Sequence, residues 1–196
     1  MDYKEYAIED KKPVNLDCLK VEFIPKEDFV KIHRDSILIC ADILIKYKDG
    51  FLLVKRDNVP ALGEYWVIGG RIQKGISTEE GVRIKVKEEC NLELKNLRLL
   101  NFSRTYWKTD PFKHGKGTDA VNFMYLADGV GDIKLDNLHS NPLILTQELF
   151  KKMKHSLHPY QKNNVPPRLK RRGLTGTCFL DARKFLKNGI FCTEIC

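Results

Sequence analysis

At 196 residues, 42% apolar and 10% aromatic, the chain has the length and composition of one folded domain with extensions. No window approaches the ~20 apolar residues of a membrane span, and the charged start MDYKEYAIEDKKP (Met1–Pro13) lacks a signal-peptide core, so membrane association is not expected and a cytoplasmic location is. The net charge of +8 belongs to the tail, since residues 1–150 hold 23 Lys+Arg against 24 Asp+Glu and residues 151–196 hold 11 against 2.

In chain order, PKEDFVKIHRD (Pro25–Asp35) reads as a short helix opened by proline, with Phe29 and Ile32 on one face. SILICADILIKY (Ser36–Tyr47), the turn KDG (Lys48–Gly50) and FLLVKR (Phe51–Arg56) read as a hairpin. A loop follows, then a brief strand WVI running into Gly69-Gly70. From Ser77 or Thr78 to about Cys90 the chain looks helical, with Glu79 and Glu80 in the first turn, where the helix dipole favours acids. LRLLNFSRTYW (Leu97–Trp107) and AVNFMYLA (Ala120–Ala127) read as strands around a polar loop, and Thr146 suits a helix N-cap. After Pro159 the pattern weakens, although LDARKFLKNG (Leu180–Gly189) has the caps of one or two amphipathic turns. The sum is an α+β domain with a mixed sheet flanked by helices. Its expected limits are an extension over 1–22, the domain over 23–160 and a basic tail over 161–196. The six cysteines form no CxxC pair and complete no zinc pattern. A basic tail can touch nucleic acid or acidic lipid, but a solvated end is the favoured reading, so nucleic acid is not expected as a partner.

The stretch GGRIQKGISTEEGVRIKVKEECNL (Gly69–Leu92) carries the chemistry. Glycines before a helix let the backbone approach a phosphate or metal closely, and acids at the helix's far end hold hard cations through oxygen. An acid-rich helix face is by itself more often merely solvated. The spacing resembles the Nudix box, Gly-x5-Glu-x7-Arg-Glu-U-x-Glu-Glu-x-Gly-U, where U is aliphatic. Gly70 takes the first glycine, Val86 and Leu92 the aliphatic positions, and Glu88 and Glu89 the acid pair. Ile76 replaces the first Glu, Ile84 the Arg, Lys85 the next Glu and Asn91 the last Gly.

The surroundings add FIPKEDFVKIHRDSILICADILI, KRDNVPALGEYWVIGGRIQKG, GTD and HSNPLILT in that order. From about Phe23 to Tyr160 the chain is similar to the GDP-mannose mannosyl hydrolase branch of the Nudix family. The resemblance implies an α/β/α sandwich, Mg2+ (or Mn2+) as cofactor, a nucleotide-sugar substrate and a homodimer. It makes the Gly70 carbonyl and Glu89 metal ligands, with Glu88 a weaker third, and His139 the general base. It sets Arg56 and Arg71 on the diphosphate and sugar and Asp42 near the sugar, with Arg56 and Asp42 also counted in the catalytic set. Asp119 is a lesser substrate candidate. The branch's leaving-group tyrosine aligns with Met124, so Tyr125 serves only through a register shift.

Lys85 has no acceptor and can neither hold a metal nor act as base at neutral pH; its expected role is an i,i+4 pair with Glu89. Attack at phosphorus asks for several box carboxylates. Attack at the anomeric carbon asks for a base-activated water and a charge-stabilised nucleoside diphosphate, and no proton donor is strictly required. Carbon attack is therefore the favoured expectation. The alternatives are a Nudix diphosphatase giving nucleoside monophosphate and sugar phosphate, or a non-catalytic nucleotide-sugar-binding protein. The joint loss of acid and arginine at Ile76 and Ile84 reads as repacking of a former ion pair, because whole-pair replacement by apolar groups is often neutral.

Overall fold

The computed structural model describes residues 3–165, apart from Asp10 and Glu22. The possible turns over Leu180–Gly189 lie outside the described residues. In chain order a two-residue hairpin, β1 (Ile8–Glu9) and β2 (Lys12–Pro13), leads through a 3-10 turn, Leu16–Leu19, to α1 (Lys26–Asp35). Then come β3 (Leu38–Tyr47), β4 (Gly50–Arg56), β5 (Tyr65–Trp66), β6 (Ile68–Arg71), α2 (Thr78–Cys90), β7 (Glu93–Trp107), β8 (Thr118–Val130), β9 (His139–Leu145), α3 (Gln147–Met153) and α4 (Pro159–Asn164).

The main sheet has seven strands and is mixed. Its path runs β5-β4-β3-β8-β7, with β6 also on β3 and β9 also on β4. β3 pairs in parallel with β8 and antiparallel with both β4 and β6. Alternation along the central strands builds two cores. Ala41, Ile43, Ile45, Leu52, Val54, Tyr125 and Ala127 face α2, where Val82, Val86 and Cys90 meet them. Leu44, Phe51, Leu53, Met124 and Leu126 face the other way, towards Leu145, Leu157 and Val165, with Leu149 and Tyr160 packed alongside. Helices thus cover both faces of the mixed sheet, the expected α+β sandwich.

The sequence signals set these elements locally. Ser77 caps α2 by accepting from the Glu80 amide, and Thr146 caps α3 by accepting from the Leu149 amide. α2 ends at Asn91 in the left-handed region, φ 61°. Asparagine tolerates that region far better than most residues, so Asn91 for the box's last glycine keeps the helix stop. Ile76 sits beside Gly81 of α2, and Ile84 on the same helix is half-buried. Two features were not legible beforehand. β9 contains Asn141-Pro142, a pair that favours turns; in the fold Asn141 takes φ 44° and the register on β4 shifts between Leu53 and Lys55, so the strand continues through an irregularity. α4 crosses the expected domain edge at 160.

Candidate active site

The site is built around the C-terminal end of α2. The last carbonyls of α2 have no partner within the helix. The loop after β8 supplies donors: the Lys134 amide bonds the Cys90 carbonyl at 3.1 Å, and the Asp136 amide bonds the Glu89 carbonyl at 3.1 Å. Asn91 adds a side-chain bond to the Asp132 carbonyl. Capping the helix therefore carries Asp136 to Glu89. Asp136 Oδ1 in turn accepts from the Leu138 amide and lies 2.7 Å from His139 Nδ1. His139 opens β9, directly opposite Arg56 on β4.

Arg56 is half-buried and donates from Nε to the Pro60 carbonyl at 2.8 Å. Burial pulls its pKa down, while Asp42, Glu89, Asp136 and Cys40 oppose that shift in that order. One guanidinium thus feels three carboxylates from three different parts of the chain. Asp42, mid-strand and buried, receives the Tyr160 hydroxyl on Oδ2 at 2.6 Å. Burial raises its pKa to about 6 against the Tyr160 bond and the Arg56 charge. Gly69 lies opposite Asp42 in the ladder, and a methyl there would fall 2.5 Å from Asp42 Oδ1, so only glycine leaves that carboxylate its place. Tyr160 is held by stacking on Trp66, 5.0 Å between centroids and 6° between planes, with His158 on Trp107 behind it.

Glu89 is 8% exposed, and its Oε2 is sealed without a hydrogen-bond partner. Burial raises its pKa to about 7; the Lys85 charge counters this most, and the Gly69 amide also lowers it. Lys85 Nζ stands 3.5 Å from Glu89 Oε1 and 3.8 Å from Glu88 Oε2. Its stem passes over Gly70, where a Cβ would meet Lys85 Cε at 3.6 Å. Among the described residues, no group of three or more His, Cys, Asp or Glu is arranged to hold a metal ion. One buried, orphaned carboxylate oxygen nonetheless suits Mg2+, which keeps most of its waters and is bound through one or two carboxylates plus substrate phosphate.

The structure therefore gathers Asp42, Arg56, Gly70, Glu88, Glu89 and His139 around one end of the sandwich. Arg71 lies on the same face of the sheet as Cys40, its ladder partner two residues from Asp42, and its guanidinium sits 4.8 Å over the Phe29 ring. Two sequence candidates are not brought there. Asp119 forms a two-bonded ion pair with Arg104 at 2.7 and 2.9 Å. It is five positions from Met124, the residue opposite Asp42, roughly 16 Å along the strand at ~3.3 Å per residue. Tyr125 stays opposite Ile43 with no shift between β3 and β8, so its ring enters the core under α2. Met124 takes the Asp42 side, in the other core. Asp136 and Tyr160 are the site residues that sequence reasoning missed. For Asp136 the signal was present, an acid three residues before His139 in DNLH; for Tyr160, 118 residues from Asp42, there was none.

A family model described as NUDIX domain matches residues 38–161. A curated relative, the low-salt glycan biosynthesis protein Agl8 of Haloferax volcanii, is 28% identical over 138 residues, 70% of this chain and 85% of that protein. Among solved structures, a MutT protein from Methanosarcina mazei superposes with TM-score 0.51 at 20% identity, covering 65% of this chain and 88% of that one. A MutT NUDIX hydrolase from Burkholderia pseudomallei gives TM-score 0.50 at 20% identity, covering 58% and 86%. These two likenesses concern the fold.

Proposed function

Because the chain belongs to the Nudix family, we propose that it hydrolyses a nucleoside-diphosphate sugar of GDP-mannose type, with water attacking the anomeric carbon. One observation carries this reading. The acid-base pair of the site, His139 on Asp136, lies off the α2 helix, while the box position next to Glu89 that would support attack at phosphorus holds Lys85. The glycan biosynthesis role in the name of the Haloferax relative agrees with a sugar-bearing substrate.

In the proposed reaction His139 Nε2 takes a proton from water as its oxygen bonds the anomeric carbon. The bond from that carbon to the β-phosphate oxygen breaks, and nucleoside diphosphate departs with the electron pair. Asp136 fixes the imidazole tautomer and steadies the imidazolium that forms. Arg56 and Arg71 take the negative charge growing on the leaving diphosphate. Asp42 faces the sugar, where a carboxylate stabilises an oxocarbenium-like centre. Glu89, the Gly70 carbonyl and Glu88 are the proposed holders of Mg2+, with Mn2+ as substitute; the ion, when bound, offsets diphosphate charge. A homodimer and a nucleotide-sugar partner belong to the same reading.

The decisive experiment is hydrolysis of GDP-mannose and related nucleotide sugars in H2 18O with Mg2+. Label in the free sugar, with unlabelled nucleoside diphosphate beside it, is the expected result. Label in phosphate, with nucleoside monophosphate and sugar phosphate as products, overturns the carbon assignment. Binding without turnover of any nucleotide sugar overturns the enzymatic reading.

A further inference from the structure

Lys85 is the one box residue whose chemistry opposes its neighbours, and its position is specific. Its ammonium lies 3.5 Å from Glu89 Oε1 and 3.8 Å from Glu88 Oε2, the two carboxylates assigned above to a divalent ion. Its stem crosses the face of Gly70, whose carbonyl is the third assigned ligand. The far oxygen of Glu89, Oε2, is sealed without a hydrogen-bond partner, so the ammonium satisfies only one side of the carboxylate. Arg56 already contributes a second positive charge to the same acid.

We propose that the Lys85 ammonium and a divalent cation are alternative occupants of one seat on Glu89, so that Lys85 sets the metal affinity of the site. The proposal rests on the assignment of Glu89 as metal ligand made above. Two cations drawn to one carboxylate repel each other, and the low-dielectric setting of a buried acid strengthens that repulsion. The ammonium is also held loosely. Its distances exceed the ~2.7–2.9 Å of a tight charge-assisted hydrogen bond, and its four-carbon stem lets it swing out without moving the helix. In the metal-free protein Lys85 therefore offsets only part of the cost of burying Glu89, and a metal ion enters only by displacing it. The site is built to bind its ion weakly and reversibly, in keeping with an ion retained mainly when diphosphate supplies further oxygens.

Mn2+ binding to the full chain without substrate, followed by electron paramagnetic resonance and by calorimetry, tests this directly. Lys85→Met removes the competing charge and should tighten Mn2+ binding about tenfold or more, the scale on which neighbours of metal ligands act. Lys85→Arg keeps the charge and should stay near wild type. Glu89→Gln should abolish binding at the same metal concentrations. If Lys85→Met does not fold, Lys85→Gln makes the same comparison. Unchanged or weaker Mn2+ binding in the neutral variants, with Glu89→Gln still losing it, overturns this proposal alone. Wild-type affinity in Glu89→Gln overturns the Glu89 assignment and the metal half of the proposed function with it.

Discussion

His139 is useful at this position because Asp136 holds it, with Nδ1 and Oδ1 2.7 Å apart. Asp136 Oδ1 accepts the hydrogen bond from Nδ1–H, which leaves Nε2 as the basic nitrogen. His139→Ala should therefore lower kcat by about 10²-fold or more, within the usual range for a general base, and a variant with full rate would remove the base assignment. Asp136→Asn keeps the shape of the contact and loses the charge. It should lower kcat about tenfold or more with KM close to wild type, whereas equal losses in binding would mark Asp136 as structural. Asp42 and Tyr160 form the second coupled pair. Tyr160→Phe deletes the donor to a buried carboxylate and should cost about 1–3 kcal/mol in chemical denaturation. No loss of stability would mean that solvent replaces the hydroxyl and that Asp42 is not sealed. A carboxylate in the middle of an apolar strand, as Asp42 is in SILICADILIKY, is costly to bury without a partner, and this need is legible in the sequence. The sequence does not show which one, because the partner arrives from a helix with a weak sequence pattern, 118 residues on.

At the scale of elements, α2 owes its position to both of its ends. At its start the Glu5 carboxylate accepts from the Thr78 amide at 2.8 Å and bonds the Thr78 hydroxyl as well, and the Tyr3 hydroxyl adds a contact to Thr78. An anion at a helix N-terminus is favoured both by the free amides and by the dipole. Glu5→Ala should thus destabilise the protein by about 1 kcal/mol, read as a lower unfolding midpoint; an unchanged midpoint would mean that the contact adds nothing. At its end Asn91 holds the left-handed turn that presents the Glu89 and Cys90 carbonyls to the Asp136 loop. Asn91→Val would strain that turn, so stability and kcat should fall together, while Asn91→Gly should keep both. The hairpin of β3 and β4, the caps of α2 and α3, and the strands β7 and β8 were legible because period and cap agree there. The β1-β2 hairpin is only two residues per strand, and β9 is broken by Asn141-Pro142, so neither displays a period to read. Tyr125 went astray for a related reason. Sequence located the strand, but only the observed register of β8 on β3 decides which side of the sheet a single residue faces.

For the molecule as a whole, the site brings together groups that folding would rather keep neutral, and this should be visible in stability against pH. Burial raises Asp42 from its ordinary 3.8 to about 6 and Glu89 from 4.5 to about 7. Below pH 3.8 both acids are protonated in the folded and unfolded chain alike, so neither alters stability. Between the ordinary and the raised values the unfolded chain loses its protons first while the folded chain keeps them. Stability therefore falls as pH climbs from about 4 to about 7, and the loss is complete above that. Buried His33 and half-buried His158 work in the opposite direction. Burial lowers both, so the folded chain resists charging them, and their effect is lost stability as pH falls through the ordinary histidine value of 6.5. The two acid shifts are the larger, so the unfolding midpoint of the metal-free protein should decline between pH 5 and 8. Asp42→Asn with Glu89→Gln removes both acid contributions and leaves the histidines, so its profile should instead rise through pH 6.5. A wild-type midpoint that rises over the same range would mean that these carboxylates are ionised and compensated in the free protein. If Glu89 holds Mg2+ as proposed, the ion should reverse part of the decline at pH 8 in wild type. The same ion should leave the double variant unmoved, which ties the whole-molecule profile to one carboxylate at the end of one helix.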